Sequence, residues 1–126
     1  MPSSARFLMC PPEYYGIEYE INPWMDRRQP ADQQQANAQW QALHQLLLDT
    51  GASIALAEPQ KGLPDLVFSA NAALVYQQRA ILSHFLHEQR QAEQPYWECC
   101  LTDLGFEVDP APTGMSFEGA GDALFC

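Results

Sequence analysis

The feature that most constrains this chain is a pattern that occurs twice: a helix-forming stretch, a glycine, a short apolar run, then a proline. It appears as residues 33–49, Gly51, 52–56 and Pro59, and again as 95–104, Gly105, 106–108 and Pro110. Glycine just past a helix ends it, and proline cannot continue a ladder inside a sheet. Helices that alternate with short strands argue an α/β fold. In the first block Trp40, Leu43 and Leu47 fall at i, i+3 and i+7, with Ala36 and Leu46 beside the same face and Asp32 placed to cap the start. In the second, Trp97, Cys100, Leu101 and Leu104 make one apolar face, with Pro95 in the first turn. The similarity of the two blocks hints at an internal repeat.

Around these blocks the punctuation is dense. Residues 6–10 form an apolar run ended by Pro11 and Pro12, which predicts a strand. Residues 11–32 read as a long loop carrying Asn22-Pro23-Trp24, and long loops are often functional. Gly62-Leu63-Pro64-Asp65 predicts a turn, 66–68, 73–76 and 80–83 predict short strands, and 117–125 predicts a glycine-bent strand. A length of 126 residues fits one domain or a piece of one. Because a strand-like run stops at Phe125 with no terminating device, a single incomplete domain over 1–126 is expected.

Composition narrows the function classes. Apolar residues make up 47% and charged residues 17%, so the chain is globular rather than disordered. The net charge is -10, and its six Lys and Arg do not cluster, which argues against a nucleic-acid partner. An acidic field attracts cations, although charge speaks first to solubility. No apolar run approaches a membrane span and the start has no signal-peptide core, so a cytoplasmic protein without a membrane partner is expected. Cys10, Cys99, Cys100 and Cys126 contain no CxxC pair, and His84 and His87 have no third ligand at suitable spacing. Neither a metal nor an organic cofactor is expected.

Four segments carry groups suited to chemistry. In Phe117-Glu118-Gly119-Ala120-Gly121-Asp122, glycines let the backbone approach a ligand closely, and a carboxylate there suits the flat fork of a guanidinium. The same residues fit a turn with two solvated acids. In Leu63 to Asn71, Asp65 and Asn71 flank an apolar segment, and Asn71 could orient a polar ligand or satisfy a turn. In His84 to Arg90, Arg90 could clamp a carboxylate or be a surface charge. In Tyr19 to Met25, Asn22-Pro23 reads as a turn with an aromatic anchor.

Taken together, FLMCPPEYYGIEYEINPWM, GLPDLVFSANAAL, LSHFLHEQRQAEQPYW and SFEGAGDALF resemble, in order, the N-terminal half of cyanobacterial-type arginine dihydrolases. More distantly they resemble arginine deiminases and dimethylarginine dimethylaminohydrolases. The resemblance spans nearly all of residues 6–125 and implies a five-bladed α/β-propeller (pentein) of ββαβ units, about two of them present here.

It also implies chemistry. A cysteine thiolate attacks the guanidinium carbon of arginine and expels ammonia, a histidine moves protons, and water hydrolyses the thiouronium. On this resemblance Glu118 grips the guanidinium, and Asn71, where deiminase relatives have Asp, accompanies a second hydrolysis that gives ornithine rather than citrulline. Arg90 receives the substrate carboxylate, Asn22 and Asp65 are pocket contacts, and Asp122 holds the glycine turn. His84 stands where close relatives often carry Arg. The family's catalytic His and Cys fall in its C-terminal half, so Cys126 is not expected to be the nucleophile and the chain alone is not expected to turn over arginine. The alternatives are a deiminase or dimethylarginine hydrolase segment, or a non-catalytic module that pairs with another chain or a second copy of itself.

Overall fold

A computed structural model describes residues 5–126. They form two compact units, one ending at Ser69 and the other beginning at Ala70. Each is built around a parallel strand pair bridged by a helix.

In the first unit, β1 (Arg6–Met9) and β2 (Ser53–Leu56) pair in parallel with Arg6 opposite Ser53 and Met9 opposite Leu56. A parallel pair needs a long crossover, and α1 (Gln33–Asp49) supplies it. Asp32 caps α1 as expected, its carboxylate accepting from the Gln35 N–H at 3.0 Å. The apolar face expected of α1 is only partly covered. Trp40, His44 and Leu47 are half-buried, whereas Leu43 and Leu46 are exposed. Two four-residue strands are too small a platform to cover the full stripe. The buried centre of this unit consists of Met9, Cys10, Ala52, Ala57 and Leu66.

The run 66–68 is not the strand expected. Pro64–Val67 is a 3-10 turn, with Asp65 C=O accepting from Phe68 N–H at 3.0 Å. Pro64 pre-sets a helical φ at the start of the turn, and a strand needs a partner that is not found among the described residues.

The second unit has the order ββαβ. Strands β3 (Ala73–Tyr76) and β4 (Arg79–Leu82) form an antiparallel hairpin, and β5 (Glu107–Asp109) joins β4 in parallel. The crossover from β4 to β5 holds α2 (Glu88–Gln91) and α3 (Glu93–Asp103). The sequence predicted this helix over 95–104; α3 begins two residues earlier, and Pro95 lies in its first turn as expected, where the N–H has no intrahelical acceptor in any case. The twofold pattern in the sequence therefore has a structural counterpart: both β1-α1-β2 and β4-α3-β5 run helix, glycine, then a strand parallel to the one before the helix.

Trp97, Phe85 and Leu101 are each no more than 2% exposed and form the core of the second unit with Ala80 and Leu82. Burial of Phe85 and Leu101 contributes about 1.5–3 kcal/mol each. The expected strand at 117–125 is confined to Phe117, which exchanges two 2.8 Å backbone bonds with His84. The chain then enters a 3-10 turn at Gly119–Gly121, because Gly119 has a φ of +56° that no strand residue adopts.

Candidate functional site

In the second unit three of the expected site residues are joined. Asn71 ends the short 3-10 turn Ser69–Asn71 and precedes β3. Its side-chain oxygen accepts from Arg90 Nη1 at 3.1 Å, and its Nδ2 donates to the Glu118 carbonyl at 3.3 Å. Its backbone carbonyl accepts from the buried Ser83 hydroxyl. Asn71 is thus held at three points, its backbone by the residue after β4 and its side-chain amide by α2 and the glycine turn.

Glu118 sits where the chain turns. Its N–H donates to Asp122 Oδ2 at 2.8 Å and its carbonyl also accepts from Gly121 N–H at 3.0 Å, so Asp122 closes the turn as the sequence suggested. The side chain is half-buried, and among the described residues no hydrogen bond or ion pair involves its carboxylate. The turn can form only because residue 119 is glycine. A Cβ there would lie 2.6 Å from the Ala70 carbonyl oxygen and 2.9 Å from that of Ala73. The glycine-rich segment thus brings the backbone beside Glu118 against Ala70 and Ala73.

Arg90 is 6% exposed. Its Nε and Nη2 form a two-pronged pair with Glu93, at 2.7 and 3.0 Å, and the Phe85 ring lies 4.4 Å from the guanidinium carbon. Glu93 is 1% exposed and also accepts from Trp97 Nε1 at 3.3 Å. Glu93 was not singled out from the sequence. The available signal was its spacing of three from Arg90, which brings the two side chains together across the junction of α2 and α3.

The other two expected residues lie in the first unit. Asp65 is 5% exposed and accepts from the Tyr19 hydroxyl. Asn22 is exposed, and its side-chain oxygen accepts from the N–H groups of Trp24 and Met25 at 3.0 and 3.1 Å, closing the Asn-Pro turn. The four cysteines are free thiols; Cys10 is buried, Cys99 and Cys126 are exposed, and burial pushes the half-buried Cys100 thiol up, with Asp103 and Cys99 adding to the effect.

This fold is shared with solved structures. The N-terminal domain of ArgZ bound to product, an arginine dihydrolase of cyanobacteria, superposes with a TM-score of 0.88 at 45% identity, over 97% of this chain and 45% of that one. AgrE in a binary complex with L-arginine superposes at 0.87 with 46% identity, over 95% of this chain and 18% of that one. A dimethylarginine dimethylaminohydrolase shares the fold at 20% identity with a TM-score of 0.73. The mixed α/β architecture is therefore that of the guanidine-modifying, pentein-type hydrolases.

Sequence similarity narrows the relationship. The chain is homologous to the N-terminal domain of the cyanobacterial arginine dihydrolases. It is 45% identical over 126 residues to the bifunctional arginine dihydrolase/ornithine cyclodeaminase ArgZ of Synechocystis, and 48% identical over 125 residues to AgrE of Nostoc. It is 38% identical over 123 residues to N(G),N(G)-dimethylarginine dimethylaminohydrolase of Mycobacterium tuberculosis. The chain spans 18% of the length of each cyanobacterial relative and 40% of the mycobacterial one. No protein-family model matches it. No helix among the described residues is long and apolar enough to cross a membrane.

Proposed function

We propose that this chain supplies the guanidine-gripping and amide-directing part of an arginine dihydrolase, with the nucleophilic cysteine and proton-moving histidine contributed by residues outside these 126. The observation that carries this reading is the connected set of Asn71, Arg90 and Glu118, held at 3.1 and 3.3 Å around a glycine turn that leaves the Glu118 carboxylate unpaired among the described residues. A carboxylate presented on a rigid backbone suits a guanidinium, whose two forward N–H groups match its two oxygens. Glu118 takes that role, Arg90 receives the substrate carboxylate, and Asn71 directs the second hydrolysis. Asn22 and Asp65 are further substrate contacts by the same resemblance. The ββαβ order of the second unit supports reading it as one propeller blade and the first unit as part of another, within one incomplete domain. A cytoplasmic location accompanies this reading.

The reaction balances in two stages. Arginine and one water give citrulline and ammonia; a second water gives ornithine, carbon dioxide and a second ammonia. The test is a chimera in which this chain replaces the matching segment of Synechocystis ArgZ. Ornithine with ammonia is expected from arginine, and Asn71→Asp should divert product to citrulline. A chimera that makes citrulline alone, or an Asn71→Asp form with unchanged ornithine output, would refute the assignment.

A further inference from the structure

We infer that Glu93, a buried carboxylate that grips Arg90 and Trp97, is a positioning residue that sets the Asn71 amide and thereby the product released. This rests on the proposed role of Asn71. A buried ion pair is weak support for stability, because the cost of removing two charges from water offsets much of their attraction. Its better-attested use is to fix one geometry among several. Here the geometry is explicit. Glu93 Oε2 takes Arg90 Nε, Oε1 takes Arg90 Nη2 and Trp97 Nε1, and the guanidinium is planar, so the direction of Nη1 is then fixed. Nη1 points at Asn71 Oδ1, which requires the amide to turn its NH2 toward the Glu118 carbonyl. An amide flipped by 180° would face two donors toward the arginine and an oxygen toward a carbonyl. The chain Trp97–Glu93–Arg90–Asn71–Glu118 therefore selects one amide orientation, and the Phe85 ring over the guanidinium closes off another approach.

Glu93 lies on α3 and Asn71 on the turn before β3, so the orientation is enforced by the helix rather than by the strand that carries the amide. Asn71 can then hold the same face toward a bound guanidine carbon through both hydrolytic rounds. Loss of that orientation impairs the second round more than the first, which rests on the Glu118 carboxylate.

The test uses the same chimera and reads the ratio of citrulline to ornithine. Glu93→Gln removes the charge that grips Arg90 and should raise that ratio about tenfold or more, since small misplacements of a positioned group cost up to about 100-fold. Trp97→Phe removes one hydrogen bond to the carboxylate and keeps an aromatic ring in the core, so it serves if Glu93→Gln does not fold. It should move the ratio the same way by a smaller factor. In the 126-residue chain, the 15N NMR signals of Arg90 Nε–H and the Asn71 side-chain NH2 should both shift and lose protection in either variant. Parental product ratios and unshifted signals in the variants, with Asn71→Asp still diverting product, would overturn the role of Glu93 alone. An unchanged ratio in Asn71→Asp would overturn the functional reading and this inference with it.

Discussion

Replacing Gly119 by alanine should destabilise the chain more than any other glycine substitution at a positive φ. Two effects act together. At a φ of +56° an L side chain meets the following carbonyl, a cost of roughly 1–2 kcal/mol. The added methyl would also lie 2.6 Å from the Ala70 oxygen and 2.9 Å from the Ala73 oxygen, well inside the roughly 3.3–3.6 Å of a normal C–H···O contact. Both oxygens belong to the backbone, so relief requires the chain from Ala70 into the start of β3 to move rather than a side chain to swing away. Overpacking of this kind costs about 1–3 kcal/mol, giving about 2–5 kcal/mol in all. Gly105 is the control: its φ is +93°, but nothing lies within 4 Å of the place a methyl would take there, so Gly105→Ala carries the strain alone, roughly 1–2 kcal/mol. Urea denaturation of the two variants at equal m reads the difference directly. A Gly119→Ala loss within about 0.5 kcal/mol of Gly105→Ala, where surface changes ordinarily fall, would refute the close-approach argument.

Three further outcomes are expected. In the ArgZ chimera, Glu118→Ala should lower kcat for arginine by about 100-fold or more, because a charge-stabilising partner of the reacting group is lost; steady-state ammonia release checks this, and near-parental turnover would remove Glu118 from the site. Glu93→Gln should destabilise the chain by about 1–3 kcal/mol, because a buried charge-assisted pair with the Arg90 guanidinium is lost, and urea denaturation reads the change; a loss below about 0.5 kcal/mol would refute it. Iodoacetamide labelling at pH 8, followed by peptide mass spectrometry, should modify Cys126 and Cys99 first. Cys100 should follow, because its raised pKa leaves less thiolate at that pH, and buried Cys10 should react last.

The alternation of helix and strand was legible from the amino-acid sequence because its signals are local. Asp32 and Gly51 bracket α1 through a side-chain cap and a positive φ, and Gly105 separates α3 from β5 in the same way. The order of motifs from Phe7 to Phe125 was likewise sufficient to place the chain beside arginine dihydrolases, and it singled out Asn71, Arg90 and Glu118, which hydrogen bonds connect in the folded chain. Properties set by partners distant in the chain emerged only from the folded molecule. The run at 66–68 looked like a strand but no described strand pairs with it, and 117–125 keeps one bridge before Gly119 turns it away. Leu43 and Leu46 have helical periodicity in common with Trp40, yet coverage depends on how wide the underlying sheet is. The largest omission was Glu93. A glutamate beside a helix start reads as solvated, and nothing local reveals that it grips Arg90 and Trp97, and through Arg90 the Asn71 amide, in an interior whose low dielectric strengthens each of those hydrogen bonds.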